Sequence, residues 1–361
     1  MRTERLINKL MPRVALLLLG LIILSVLCTK AESGERGVSP SSSSVSVKPQ
    51  GRAYFDLFDT VSYVYSYKGD SEEEFLENAD EVYYTLLRYH RLFDIYHEYE
   101  GMNNLCTINS NPGVAIGVDD EIIEFLDYAQ KMYSLTGGRM DVMMGSVLSL
   151  WHDARYSDEP YLPSYEDLED AARYTGFGYL EIDREKKTVK LLSDRASLDV
   201  GALGKGYATE KAAEILEEKG VESYVLNIGG NIRIIGSKTD GSGWRTGVRD
   251  PKNPDSAFVV VLSLKDTSCV TSGSYERYFT VDGVRYSHII DPETLYSAGY
   301  FDSVTVVTKN SALADALSTA LFCMPYEEGA ELASSLSVDV VWVFKDGSVR
   351  YTDGIKALLI E

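Results

Sequence analysis

The chain has 361 residues, 45% of them hydrophobic, and 55 acidic side chains against 35 basic ones give it a net charge of −20. That length suffices for two domains or one large two-lobed domain, and the charge excludes sequence-independent binding of nucleic acid or anionic lipid. An anionic substrate would need a local basic site or a metal.

The N-terminus reads as a targeting segment. Arg2, Arg5, Lys9 and Arg13 precede an uncharged run, residues 14–29, that is mostly Leu, Ile and Val. The run is long for a signal-peptide core and short for a membrane span. Cys28 closes it, as in a bacterial lipoprotein signal, although Leu27 stands where a small residue normally precedes the lipidated cysteine. Lipidation at Cys28 or retention of the apolar segment would anchor the protein, and cleavage after Ala31 would release it. Each places the body outside the cytoplasm, and we expect an anchored form. Residues 1–29 are thus a signal peptide or membrane anchor, 30–51 a flexible Ser/Pro-rich tether, and 52–361 the folded domain.

Residues 53–67 alternate as a strand or hairpin, and 71–93 read as a helix with Phe75, Ala79, Val82, Leu86, Leu87 and Tyr89 as its apolar positions. Helices are expected over 121–135, 140–151 and 165–175, with a polar loop over 154–163. A hairpin over 179–183 and 188–192 turns at Arg184-Glu185-Lys186-Lys187. Then come a strand (196–200), the loop GALGKG, a helix (207–219) and a strand (223–235) interrupted by Gly229-Gly230. The C-terminal part is strand-rich, over 257–264, 276–282 and 284–290, then a strand–helix unit over 303–324 and a closing hairpin over 338–344 and 348–351. The class is α/β of the mixed α+β kind, without regular βαβ alternation or an internal repeat. Cys106, Cys269 and Cys323 show no CxxC spacing, so they read as buried thiols.

The segment SVTVVTKNSALADALSTALFCM carries the sharpest chemical signal. Its helix is almost all apolar, so it should be buried, yet Asp315 and Thr319 lie four residues apart on one face. A buried carboxylate costs several kcal/mol, on the order of what a compensating charge must supply. A hard cation bound by both oxygens would supply it. The alternative is that Thr319 bonds its own i−4 carbonyl and Asp315 caps a neighbouring loop; the helix alone leaves both open. The Gly-rich stretch from Asp199 to Gly206 suits phosphate binding, with Lys205 as a point charge, but matches neither a Walker A nor a Rossmann pattern. A tight turn without ligand is the equal alternative. His288 ends a strand before an Asp-Pro turn, whereas His90, His97 and His152 are expected to face solvent. Arg277 could hold a phosphate or form a surface ion pair. Gly137-Gly138 before Met140-Asp141 could be a helix start, and the paired glycines at 229–230 suggest a bulge or a close ligand approach.

Taken together, three segments resemble the ApbE family of bacterial FAD:protein FMN transferases: SLDVGALGKGYATEKAAEILEEKGVESYVLNIGGNIRIIG, SYERYFTVDGVRYSHIIDPETLYSA and SVTVVTKNSALADALSTALF. The resemblance runs from about Phe55 to the C-terminus. It implies a compact, two-lobed ApbE-like fold with mixed sheets and surrounding helices. It also implies Mg²⁺-dependent cleavage of FAD as substrate, with FMN passing to a threonine hydroxyl of a partner flavoprotein and AMP leaving. Carried over, Asp315, Thr319 and the Ala202 carbonyl would hold the metal. FAD would contact Phe58, Met140, Asp141, Asp199, Gly204, Lys205, Gly206, Arg277 and Ile289, and His288 would act as the base. The partner would be an extracytoplasmic FMN-binding electron-transport subunit. Two alternatives remain on sequence: an FAD pyrophosphatase, and an FAD-binding lipoprotein without turnover. Leu295 replaces a glycine common after Asp-Pro-x-Thr in the family, Ser297 stands where proline is frequent, and Ser318 occupies a position acidic in some members. Residues 101–109 are a loose version of a further family stretch.

Overall fold

A computed structural model describes residues 48–255 and 257–360. The expected N-terminal anchor and all but the end of the tether lie outside these residues. Val47–Lys252 and Phe258–Glu361 make one compact unit; Asn253–Ala257 is not part of it. Among the described residues no helix is long and apolar enough to cross a membrane.

The chain opens with β1 (Gln50–Leu57) and β2 (Thr60–Ser66), followed by α1 (Glu72–Phe93) and α2 (Leu105–Ser110). Next come β3 (Ile116–Gly117), α3 (Asp120–Leu135), α4 (Gly145–Tyr156) and α5 (Tyr165–Ala172), then β4 (Leu180–Asp183) and β5 (Thr188–Leu191). The central stretch holds α6 (Gly204–Glu218), β6 (Tyr224–Ile228), β7 (Asn231–Ile235), β8 (Trp244–Arg249), β9 (Phe258–Leu264) and β10 (Ser268–Gly273). The chain closes with β11 (Tyr278–Val281), β12 (Val284–Ser287), β13 (Phe301–Thr308), α7 (Ser311–Phe322), α8 (Tyr326–Leu336), β14 (Asp339–Phe344), β15 (Val349–Tyr351) and α9 (Asp353–Lys356).

The main sheet has eight strands in the order β1-β2-β6-β7-β10-β13-β14-β15, each neighbouring pair antiparallel. Both of its faces are covered. Because strand side chains alternate, Val340 and Trp342 of β14 enter the main core, while Val341 enters a second core with Trp244 and Leu262 of the β8–β9 hairpin. Strands so placed are apolar on both faces, which explains the near-continuous runs in β13 and β14. The main core lies between the sheet and α1, α3, α6 and α7. A third cluster, around Trp151, Phe279 and Leu295, joins α4 and α5 to β11 and the segment after β12.

Local chemistry explains the helices. In α1, Ser71 accepts the Glu74 N–H, three glutamates fill the first turn, and Phe75, Ala79, Val82, Leu86, Tyr89 and Phe93 bury one face. In α7, Asn310 accepts the Leu313 N–H, and almost every side chain is buried.

Several expectations shift. Helix α4 starts at Gly145, five residues later than expected, because residues 140–144 form a buried turn that feeds the site. Helix α6 starts at Gly204, so Lys205 and Gly206 sit in its first turn and not in a preceding loop. Gly229-Gly230 is the β6–β7 turn, both residues at positive φ, and not a bulge. Residues 196–200 form no strand. Their backbone is satisfied from elsewhere: Asn109 bonds the Leu198 N–H and C=O at 2.8 and 2.9 Å, and the Asp199 N–H donates to the Val142 carbonyl. Cys269 and Cys323 are buried as expected, but Cys106 is only half-buried.

Arg233 on β7 is fully buried and ties α6 to the sheet, with Glu217 at 2.5 Å, Glu210 at 3.5 Å and Asp266 at 3.6 Å. Removing it leaves carboxylates without their counter-charge. Arg233→Ala should cost roughly 3–5 kcal/mol in chemical denaturation, while Arg233→Met should cost less because it keeps the packing. Equal losses would show that the ion pairs matter less than the volume.

Candidate active site

The site forms where α6 crosses α7. The two helices approach so closely that a Cβ on Gly206 would lie 2.3 Å from the Asp315 Cβ and 2.6 Å from the Ser311 carbonyl oxygen. Each helix lends a carboxylate to the first turn of the other. Asp315 Oδ2 accepts the Gly206 N–H at 2.7 Å, and Glu210 Oε2 accepts the Ser311 N–H at 2.5 Å. Burial raises the pKa of Asp315; the Lys205 charge and the Gly206 N–H pull it back.

This crossing also frees a carbonyl. In a continuous helix the Gly206 N–H would bond the carbonyl four residues earlier, that of Ala202. Here the N–H is taken by Asp315, and no donor among the described residues bonds the Ala202 carbonyl. The Ala202 carbonyl is thus left without a donor, and with Asp315 Oδ1 and the Thr319 hydroxyl it makes up the oxygen set of the kind a hard cation takes. The buried Asn231 amide is near enough to favour the Asp315 charge, but its Nδ2 has no hydrogen bond of ordinary geometry. Thr319 does not bond its i−4 carbonyl; Ser318 takes that position instead, at 3.0 Å. Ser318 and Thr319 both meet the Ser272 hydroxyl, at 2.9 and 3.3 Å. Among the described residues no group of three or more His, Cys, Asp or Glu side chains is placed to hold a metal. The three candidate oxygens include only one carboxylate.

His288 lies just beyond β12, in a recess that water reaches although protein atoms crowd it. Its backbone N–H and its Nδ1 both meet the Arg277 carbonyl, at 3.0 and 3.1 Å. A carbonyl only accepts, so Nδ1 carries the proton and Nε2 keeps a free lone pair. Crowding lowers the imidazole pKa, and the charges of Arg277, Lys205 and Arg155 lower it further. None of these three cations has an ion-pair partner among the described residues. Asp199 is half-exposed, with Oδ1 accepting the Gly201 N–H at 2.9 Å. Desolvation raises its pKa, and His152 and Arg155 oppose that.

The other candidates are placed as follows. Phe58 is half-buried in the β1–β2 turn at positive φ, and its N–H donates to His90 Nδ1 at 3.2 Å. His90 is thus a bonded group and not a solvent-facing one; only His97 is largely exposed, and His152 packs between Tyr96 and Tyr156. Met140 is fully buried, so a ligand would meet it through the backbone. Asp141 accepts the Met143 and Gly176 N–H groups at 2.8 and 3.0 Å, and burial raises its pKa to about 6. Gly204 allows Phe93 to approach, and Ile289 packs its side chain into the main core. Leu295 has a φ of 61°, in the left-handed region that favours glycine. Arg155 and its aromatic neighbours were not legible in the sequence. They fall partly in a stretch read as loop, and no motif marks them.

The lowered pKa makes a direct prediction. Across pH 5.5–6.5, where a free histidine takes up its proton, the His288 ring should stay neutral with Nδ1–H. Ring ¹⁵N chemical shifts would check it; protonation at the ordinary pH would remove the recess and the three cations as the cause.

The sequence pattern of the ApbE family matches residues 60–342. An FAD:protein FMN transferase of Treponema pallidum is 33% identical over 267 residues, 70% of this chain and 73% of the relative. The ApbE protein of Thermotoga maritima superposes with a TM-score of 0.78 at 28% identity, covering 87% of this chain and all of that one. The flavin transferase ApbE of Vibrio cholerae superposes at 0.73 with 25% identity, covering 86% and 99%. With its whole central body matched by sequence and by structure, the chain belongs to the ApbE family.

Proposed function

We propose that this protein is a Mg²⁺-dependent FAD:protein FMN transferase that joins FMN to a threonine hydroxyl of a partner flavoprotein and releases AMP. What supports this reading is the α6–α7 crossing, where Asp315 takes the Gly206 N–H and leaves the Ala202 carbonyl without a donor among the described residues, together with a neutral His288 whose ring feels the charges of Arg277, Lys205 and Arg155. On a chain of net charge −20, such unpaired cations are the local basic site that a pyrophosphate requires.

His288 Nε2 is available to take the threonine proton as the hydroxyl oxygen bonds the FMN phosphorus. The bond from that phosphorus to the bridging oxygen breaks, and AMP leaves with the electron pair. Lys205 and Arg277 offset charge on the phosphates and hold them in place. A divalent cation held by Asp315, Thr319 and the Ala202 carbonyl would neutralise pyrophosphate charge as it shifts to the leaving group. The first-turn N–H groups of α6 favour the same anion. The N-terminal charge pattern supports a place at the outer face of a bacterial membrane, held by the N-terminal segment, with an electron-transport flavoprotein as acceptor.

A second reading rests on the exposure of His288. Water reaches the same nitrogen, so hydrolysis of FAD to FMN and AMP would use the same groups.

Incubation with FAD and Mg²⁺, with and without a threonine-bearing acceptor domain, separates the two. AMP release that depends on the acceptor, with an FMN adduct in its mass, is expected. Free FMN and AMP without acceptor would make the protein a pyrophosphatase, and no AMP in either arm would make it a flavin-binding protein. Asp315→Ala should lower AMP release by about 100-fold or more. His288→Asn should slow transfer roughly 100- to 10,000-fold while FAD still binds. An unchanged rate in either variant removes that residue from the mechanism.

A further inference from the structure

Three hydroxyls meet where β10 packs against α7. Ser272 Oγ on the strand lies 2.9 Å from Ser318 Oγ and 3.3 Å from Thr319 Oγ1 on the helix. Between two hydroxyls either oxygen can donate, so such a cluster ordinarily leaves its proton positions open. Here the inner end decides them. Ser318 Oγ also lies 3.0 Å from the Asp315 carbonyl oxygen, and a carbonyl only accepts.

The rest follows from counting protons, since each hydroxyl has one to give. Ser318 gives its proton to the Asp315 carbonyl, so the bond between Ser318 and Ser272 must use the proton of Ser272. With that proton spent, the bond between Ser272 and Thr319 must use the proton of Thr319. Reversing either link would leave two oxygens in contact with no proton between them, at the cost of an unmade hydrogen bond. Donation therefore runs one way, from Thr319 through Ser272 and Ser318 to the Asp315 carbonyl. Burial deepens in the same direction: Thr319 and Ser272 are half-buried, and Ser318 is fully buried.

We infer that Ser272 and Ser318 are positioning residues that fix the Thr319 hydroxyl as an acceptor toward a cation. A metal ion takes a hydroxyl through its lone pairs and repels its proton. Drawing that proton toward β10 leaves the lone pairs of Thr319 for the helix face it shares with Asp315, one turn away. The direction of the protons rests on the hydrogen bonds alone. That Asp315 and Thr319 hold a cation rests on the reading proposed above.

Neutron diffraction from crystals of the protein exchanged into D₂O reads the direction itself, without metal or FAD. A deuteron carried by Thr319 Oγ1 and aimed at Ser272 is expected; one carried by Ser272 and aimed at Thr319 would overturn the relay. Its purpose is read by titrating the full-length protein with Mn²⁺ and following the electron paramagnetic resonance of the free ion. Ser272→Ala should weaken Mn²⁺ binding roughly 10- to 100-fold, and Ser318→Ala should weaken it less, because Ser272 is still there to accept. Ser272→Thr, which keeps the hydroxyl, should restore most of the loss. Ser272→Val, of the same shape without the hydroxyl, should not, and equal affinities in these two variants would reduce Ser272 to a packing residue. Mn²⁺ affinity unchanged in Ser272→Ala, or no Mn²⁺ bound by the unaltered protein, would overturn the positioning role. The expected deuteron and the expected loss in a chain that transfers no FMN would keep the relay and sink the transferase. Transfer by a chain whose Ser272→Ala variant binds Mn²⁺ unchanged would do the reverse.

Discussion

The hydrogen bond from the Gly206 N–H to Asp315 organises everything around it. It requires a glycine at 206, because any side chain there would occupy the space of Asp315 itself. It diverts an N–H that would otherwise close the first turn of α6, and so releases the Ala202 carbonyl. It also makes a buried carboxylate tolerable on a helix that is otherwise apolar, while leaving Oδ1 without a hydrogen bond. The matching contact from Glu210 to the Ser311 N–H fixes the same crossing from the other side, and Arg233 beneath it holds Glu210 and Glu217 to the sheet. On the proposed reading, the cation-binding oxygens and the central packing of the fold would be one set of contacts. Substitutions there should act on stability and chemistry together.

The electrostatics follow from a contrast of scale. The surface is strongly acidic, and most of its basic side chains that carry ion pairs spend their charge on neighbouring carboxylates. Lys205, Arg277 and Arg155 do not, and all three act on His288. Their effect on an imidazole is to keep it neutral, which preserves Nε2 as a proton acceptor. Their effect on a pyrophosphate would be attraction. On the proposed reading the same cations, added to the larger effect of desolvation, would help keep the base neutral and would hold the substrate, and neither role needs the net charge of the protein to be favourable.

The sequence made the α6–α7 site legible because the contradiction was local. An acidic residue in an apolar helix, a hydroxyl one turn on, and glycines opening the neighbouring helix all lie within short motifs. The helix–strand order was legible for the same reason, through periodicity and capping residues such as Ser71 and Asn310. What escaped depended on partners far along the chain. Residues 196–200 look like a strand, but Asn109 and Val142 supply their hydrogen bonds. Gly229-Gly230 looks like a bulge until β6 and β7 are seen to pair across it.

His288 raises a question of water. It is exposed in the chain by itself, and a base that water can reach activates water as readily as a hydroxyl. The Arg277 carbonyl fixes the ring through Nδ1, so Nε2 points its lone pair outward from that anchor and has no internal acceptor to choose between donors. Selection must therefore come from outside the recess. On the transferase reading, a threonine borne on a folded acceptor would bring a surface with it, and docking that surface would cover His288 as it delivers the hydroxyl. On the transferase reading, the acceptor is both substrate and lid. The ratio of transfer to hydrolysis is then set by how well the acceptor closes over His288, and much less by any difference in the intrinsic reactivity of threonine and water.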